Sequence, residues 1–158
     1  MTLIAMCRFD WRWIMLLFIG LSLVSAPSFS SAITVGEHCF GGIVFYVDDS
    51  GEHGLVAAKR NIAGKSHGME PENFNWYDAK AACENFVNDG YNDWFLPNEW
   101  QLGKLYLQRA VVGGFYDHFY WSSSREDDEN AWYIYFHSGD QNSDSRMASG
   151  RVRPVRAF

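Results

Sequence analysis

Gly90-Tyr-Asn-Asp-Trp94-Phe-Leu-Pro-Asn98 decides the fold reading of this chain, because a turn, an adjacent aromatic pair and a helix start share nine residues. Asn98 is a good N-cap, and Gln101, three positions on, can reach back to the cap's own backbone N–H as in a capping box. A helix is therefore predicted from this point. Immediately upstream, residues 76–87 carry alanines and good helix formers, with Ala79, Ala82, Cys83 and Phe86 on one face at 3.6 spacing. Asn75 is the expected N-cap of that first helix, and Asp89-Gly90 its expected stop.

Further out on both sides the elements read as strands. Ile43-Val-Phe-Tyr-Val47 is β-branched and aromatic, Asp48-Asp-Ser-Gly51 reads as its turn, and Gly54-Leu-Val-Ala-Ala58 returns as a hairpin partner. Residues 59–75 lose periodicity and collect Gly, Asn, His and Pro, as a surface loop does. After Gly113-Gly114, residues 119–124, 131–137 and 151–158 read as three strands. Trp132, Ile134 and Phe136 alternate with Tyr133, Tyr135 and His137, so one set can be buried while the other carries ring edges and hydroxyls. Strands, two helices, then strands indicate an α+β fold with a mainly antiparallel sheet and long polar loops. Segments 125–130 and 138–145 are the most polar, and are expected as exposed hairpin tips or loops.

Gly41-Gly-Ile-Val-Phe-Tyr46, the 90–98 stretch, Tyr120-Trp-Ser-Ser-Ser124 and Val152-Arg-Pro-Val-Arg-Ala-Phe158 occur in an order that resembles the domain at the C-terminus of the Legionella collagen-like (Lcl) adhesin. The resemblance runs from about Gly36 to Phe158. Family members typically place Ser at the second helix cap and an acidic residue at the reach-back position, where this chain has Asn98 and Gln101. The resemblance implies an exported, non-enzymatic recognition domain that binds a glycan or another surface ligand, including a surface protein. A second implied role is a structural or oligomerisation module, as a homo-oligomer within a surface assembly. The order of elements also looks like that of C-type-lectin-like domains, by analogy at the level of fold.

Arg8 and Arg12 precede an apolar run, residues 14–24, that ends in small residues, the pattern of a signal peptide. The run is shorter than the roughly 18 residues expected of a bilayer-spanning helix. Cleavage fits after Ala26 or after Ala32. The second is preferred, which makes 1–32 the leader and 33–158 one domain, secreted, periplasmic or at the cell surface, with no membrane span after processing. Loss of Arg8, Asp10 and Arg12 takes the formal charge from −6 to −7, which argues against nucleic acid as a partner. Cys7 leaves with the leader. Cys39 and Cys83 remain, and an even count in an oxidising compartment predicts a disulfide, the alternative being two buried thiols.

Catalytic signatures are poor. Ser122, Ser123 and Ser124 lie near Asp117 and His118, but all five occupy one short segment with no nucleophile elbow, so hydroxyls paired across a sheet explain them better. His38, His53, His67, His118 and His137 are dispersed, and no zinc-ligand spacing is present. Asp140, Asn142 and Asp144 alternate as in the first half of a calcium loop, yet Ser145 and Arg151 break the pattern, and an Asx-rich turn competes with it. No cofactor is expected, with calcium at this loop left open.

The candidate ligand-binding residues are Trp121, Arg125, Trp132, Asp140, Asn142, Asp144, Arg151 and Arg153. Aromatic faces can stack on sugar rings while carboxylates and amides bond hydroxyls, and guanidinium groups suit sulfate or carboxylate. Each Trp also fits a core position, and the arginines also fit salt bridges.

Overall fold

A computed structural model describes residues 32–63 and 73–158, so all of the expected leader except Ala32, and the middle of the 59–75 loop, lie outside the described residues. The chain folds as α+β with two antiparallel sheets, where a single sheet was expected. Strands β1 (His38–Cys39), β2 (Gly42–Val47), β3 (Gly54–Ala57) and β7 (Val155–Ala157) form one sheet in the order β1-β2-β3-β7. Strands β4 (Phe119–Arg125), β5 (Asn130–Tyr135) and β6 (Gln141–Ser145) form the other in sequence order. Between them in the chain come α1 (Trp76–Glu84), α2 (Glu99–Leu107) and a short α3 (Arg109–Val112).

Local chemistry explains the breaks. Asp48 Oδ1 accepts from the N–H groups of Ser50 and Gly51, both at 3.1 Å, and so closes the β2–β3 turn as expected. Asn75 caps α1 by accepting from the Asp78 N–H at 2.9 Å. Both bonds of the predicted capping box are present on α2: Gln101 N–H to Asn98 Oδ1 at 2.9 Å, and Asn98 N–H to Gln101 Oε1 at 2.8 Å. The expected helix stop at Asp89-Gly90 is instead a two-residue turn. Helix α1 has already ended at Glu84, and Asp89 (φ 50°) and Gly90 (φ 82°) lie in the left-handed region between Asn88 and Tyr91, whose backbones exchange two 3.0 Å hydrogen bonds. Asn88 Nδ2 ties this turn to the first sheet by donating to the Gly41 carbonyl at 2.7 Å.

Strand β4 of the three-stranded sheet is covered on both faces, which is why adjacent Tyr120 and Trp121 are both fully enclosed. On one face Tyr120, Ile134 and Phe136 meet Leu102 and Leu105 of α2 together with Ile43 and Phe45. On the other, Trp121 and Ala131 meet Trp76, Ala79 and Cys83 of α1, with Leu96. The alternation expected on β5 holds for Ile134, Phe136 and exposed Tyr135 and His137. Tyr133 departs from it because the second face is also core, where its ring packs 4.6 Å from Phe119.

Two expectations are corrected. The disulfide is not formed: Cys83 is a buried thiol in the α1 cluster, whereas Cys39 belongs to a separate cluster with Val44, Val56 and Trp94. Helix α1 covers the three-stranded sheet, not the strand pair that carries Cys39. Residues 138–145 are also not simply a loop, since Gln141–Ser145 pairs with β5 over its whole length. Among the described residues no helix is long and apolar enough to cross a membrane.

Candidate ligand-binding grooves

The C-terminal end of β4 organises the surface. Its register with β5 breaks between Trp121 and Arg125, and the intervening serines turn their hydrogen bonds toward the helices instead. The Ser122 carbonyl accepts from Trp76 Nε1 at 2.7 Å, Ser123 N–H donates to the Pro97 carbonyl at 2.8 Å, and Ser124 Oγ accepts from the Glu99 N–H at 3.1 Å. The serine run thus pins the starts of α1 and α2 to either side of one strand. A groove opens on each side, and Ser123 lines one while Ser124 lines the other.

The groove along α2 has a volume of about 800 Å³. Asn98, Glu99, Trp100, Lys104, Tyr106 and Gln141 line it, above an apolar floor that includes Ile134. Trp100 is 52% exposed in the capped first turn of α2. Its ring is held edge-on to Tyr46, with centroids 5.1 Å apart, while Lys104 Nζ lies 5.4 Å over it. Gln141 Nε2 donates to Glu99, which orients a carboxylate and an amide together in the groove lining. Gly139 keeps the far end open for Tyr106: a Cβ there would come 2.5 Å from the Tyr106 ring, and its φ of 88° disfavours any other residue. An exposed indole beside fixed carboxylate, amide and hydroxyl groups can offer a stacking face and directional hydrogen bonds to one polar ligand.

The groove along α1 holds about 560 Å³ and is lined by Trp76, Tyr77, Lys80, Ser123, Arg125 and Arg146, among others. Lys80 Nζ lies 5.0 Å and Arg146 Cζ 5.6 Å from the Trp76 ring centroid, and Arg146 is also 5.2 Å from Tyr77.

The sequence-predicted site residues are scattered by this arrangement. Arg125 is exposed and lines the α1 groove. Trp132 is half-buried on β5, opposite Ser143. Trp121 is 0% exposed and donates from Nε1 to the Phe74 carbonyl at 2.9 Å, so it is core and cannot touch a ligand. Arg153 is likewise interior, 1% exposed. It donates to Asn61 Oδ1 (2.8 Å) and to the carbonyls of Ala58 (2.8 Å), Gly113 (3.3 Å) and Gly114 (2.5 Å), with its guanidinium 4.1 Å over Phe115. Arg151 stacks on the Tyr116 ring, with its guanidinium 4.1 Å from the ring centroid. Asp140, Asn142 and Asp144 are exposed along the edge of the sheet. On an extended strand, alternate residues stand about 7 Å apart, so these three do not converge as a calcium loop requires. Partial burial, aided by the charges of Asp144 and Asp140, holds the Tyr133 hydroxyl above the ordinary tyrosine range.

Trp100, Lys104 and Tyr106 were missed from the sequence. The available signal was an apolar Trp on the helix face opposite Leu102 and Leu105, where the 3.6 period asks for a polar residue.

None of the curated proteins matches the chain significantly. The sequence profile of the Lcl C-terminal domain matches residues 51–156, from the β2–β3 turn to β7. This span contains both grooves and the serine run between them, and the chain belongs to the Lcl C-terminal domain family.

Proposed function

We propose that the protein is an exported, non-enzymatic recognition domain with a C-type-lectin-like architecture, and that it binds a glycan or a similar polyhydroxylated surface ligand in the α2 groove. The observation that carries this reading is Trp100, a half-exposed indole fixed by Tyr46 and bordered by Glu99, Gln141 and Asn98. Leaving a large ring in water costs stability unless it has another use, and a ring flanked by oriented hydrogen-bonding groups suits a sugar face. Membership of a family whose name-giving member is an adhesin supports an interaction at a surface. The leader reading of 1–32 supplies the route of export, and the acidic charge directs the domain away from nucleic acid.

A second reading, a structural or oligomerisation module, draws on Leu107 (66% exposed) and Val111 (50% exposed), which continue the line of Trp100 along α2 and α3. Binding to a glycan array, repeated with Trp100→Ala, tests the first reading; the mass of the protein in solution tests the second.

A further inference from the structure

The α1 groove is distinct from the proposed glycan site and carries its own chemistry. Lys80, Arg125 and Arg146 meet there in a protein of formal charge −6, and Glu84 is the one acidic residue on the groove wall. None of the three cationic side chains makes a hydrogen bond, or an ion pair within 4 Å, with another described residue; Arg146 acts on the Asp127 carboxylate only at longer range, and its buried Nε has no hydrogen-bond partner. Two arginines elsewhere have strong partners: Arg153 donates to carbonyls and Arg156 to Asp93. Two cations over a single Trp76 ring repel each other, and the cation–π attraction of a partly hydrated site is weak beside a charge-assisted hydrogen bond. An anion between them would relieve that repulsion.

The groove continues past Ser123, Lys80 and Glu84 into a recess of about 240 Å³ whose apolar walls are Phe95 and Leu96. One charged group and one apolar group therefore fit side by side. A repeating polyanion needs a row of cations along its track, and here the track ends at Glu84. We propose that this groove binds the free C-terminal carboxylate of a peptide or protein that ends in an apolar residue, with Arg125, Arg146 and Lys80 holding the carboxylate and the Phe95–Leu96 recess taking the terminal side chain. The fork geometry of a guanidinium matches a carboxylate by two parallel hydrogen bonds, which makes Arg125, exposed at the rim, the adaptable half of the clamp.

Isothermal titration of the purified protein, expressed from its full sequence, with an N-acetylated hexapeptide ending in Leu tests this directly. Three comparisons accompany it: the same peptide amidated at its C-terminus, the peptide ending in Asp, and a sulfated oligosaccharide. Amidation should weaken binding at least tenfold, the Asp ending should bind more weakly than Leu, and Arg125→Gln should lose about tenfold to a hundredfold for the free acid while leaving the melting temperature unchanged. A Trp100→Ala variant should bind the peptide normally, which keeps this site separate from the glycan reading. No binding of the free acid, equal binding of the amide, or tighter binding of the sulfated oligosaccharide to the same groove would overturn the proposal.

Discussion

At the scale of single residues, buried polar groups decide more than exposed ones. Arg153 is the interior fastener of the C-terminal segment, joining it to the Ala58–Asn61 stretch and to the Gly113–Gly114 break. Arg153→Met keeps the volume and loses every one of those bonds, so the unfolding free energy should fall by about 2–4 kcal/mol, read from the denaturant midpoint. Burial also pushes the Cys83 thiol well above its ordinary pKa, with Glu84 adding a little, and burial chiefly raises Tyr120 as well. Both groups hold their protons more tightly in the fold than in the unfolded chain. Their stabilising effect is complete below about pH 8.5 and is lost as pH rises, at up to about 1.4 kcal/mol per unit once the unfolded thiol ionises. Unfolding measured from pH 7 to 10.5 should show this alkaline decline, and Cys83→Ala should flatten its first part. The same burial predicts that an alkylating reagent labels Cys83 only after denaturant is added.

At the scale of elements, caps and turns were legible and packing partners were not. Asn75, Asn98 and Gln101 act through backbone groups three residues away, so their roles follow from local sequence, and the structure places each bond as read. Asn75→Ala should cost about 1 kcal/mol, measured by denaturation, because the Asp78 N–H loses its acceptor. Strand β6 was not legible, since Gln-Asn-Ser-Asp-Ser has no apolar alternation and both of its faces are largely exposed. What holds it is pairing with β5. Its N–H groups at Ser143 and Ser145 are taken by the side chains of Asn142 (2.8 Å) and Asp144 (2.7 Å), so donors that an added strand would need are already occupied. Replacing Asn142 and Asp144 together with Val should leave that edge open and apolar. Light scattering should then report association at concentrations where the parent protein is monodisperse.

At the scale of the whole molecule, the α+β class and the family were readable because glycine turns, aromatic runs and the 90–98 stretch keep their order along the chain. The binding surface was not, for a reason visible at Trp121 and Trp100. Trp121 follows Tyr120 and leads into three serines, a polar flank that suits an exposed strand end, yet helix α1 closes over it; Trp100 is just as apolar, yet it lies on the outer face of α2, opposite Leu102 and Leu105. Only the docking of two helices on opposite faces of one sheet distinguishes them. The same docking produces a groove on each side of β4, with an exposed indole among polar groups in one and three cationic side chains in the other. The central claim is that the α2 groove recognises a glycan through Trp100, and the most direct test is a glycan array probed in parallel with the parent protein and Trp100→Ala. The parent should bind a defined set of glycans, and the variant should lose at least tenfold of the signal across that set at unchanged melting temperature. Undiminished binding by Trp100→Ala, or no glycan bound by the parent, would contradict it.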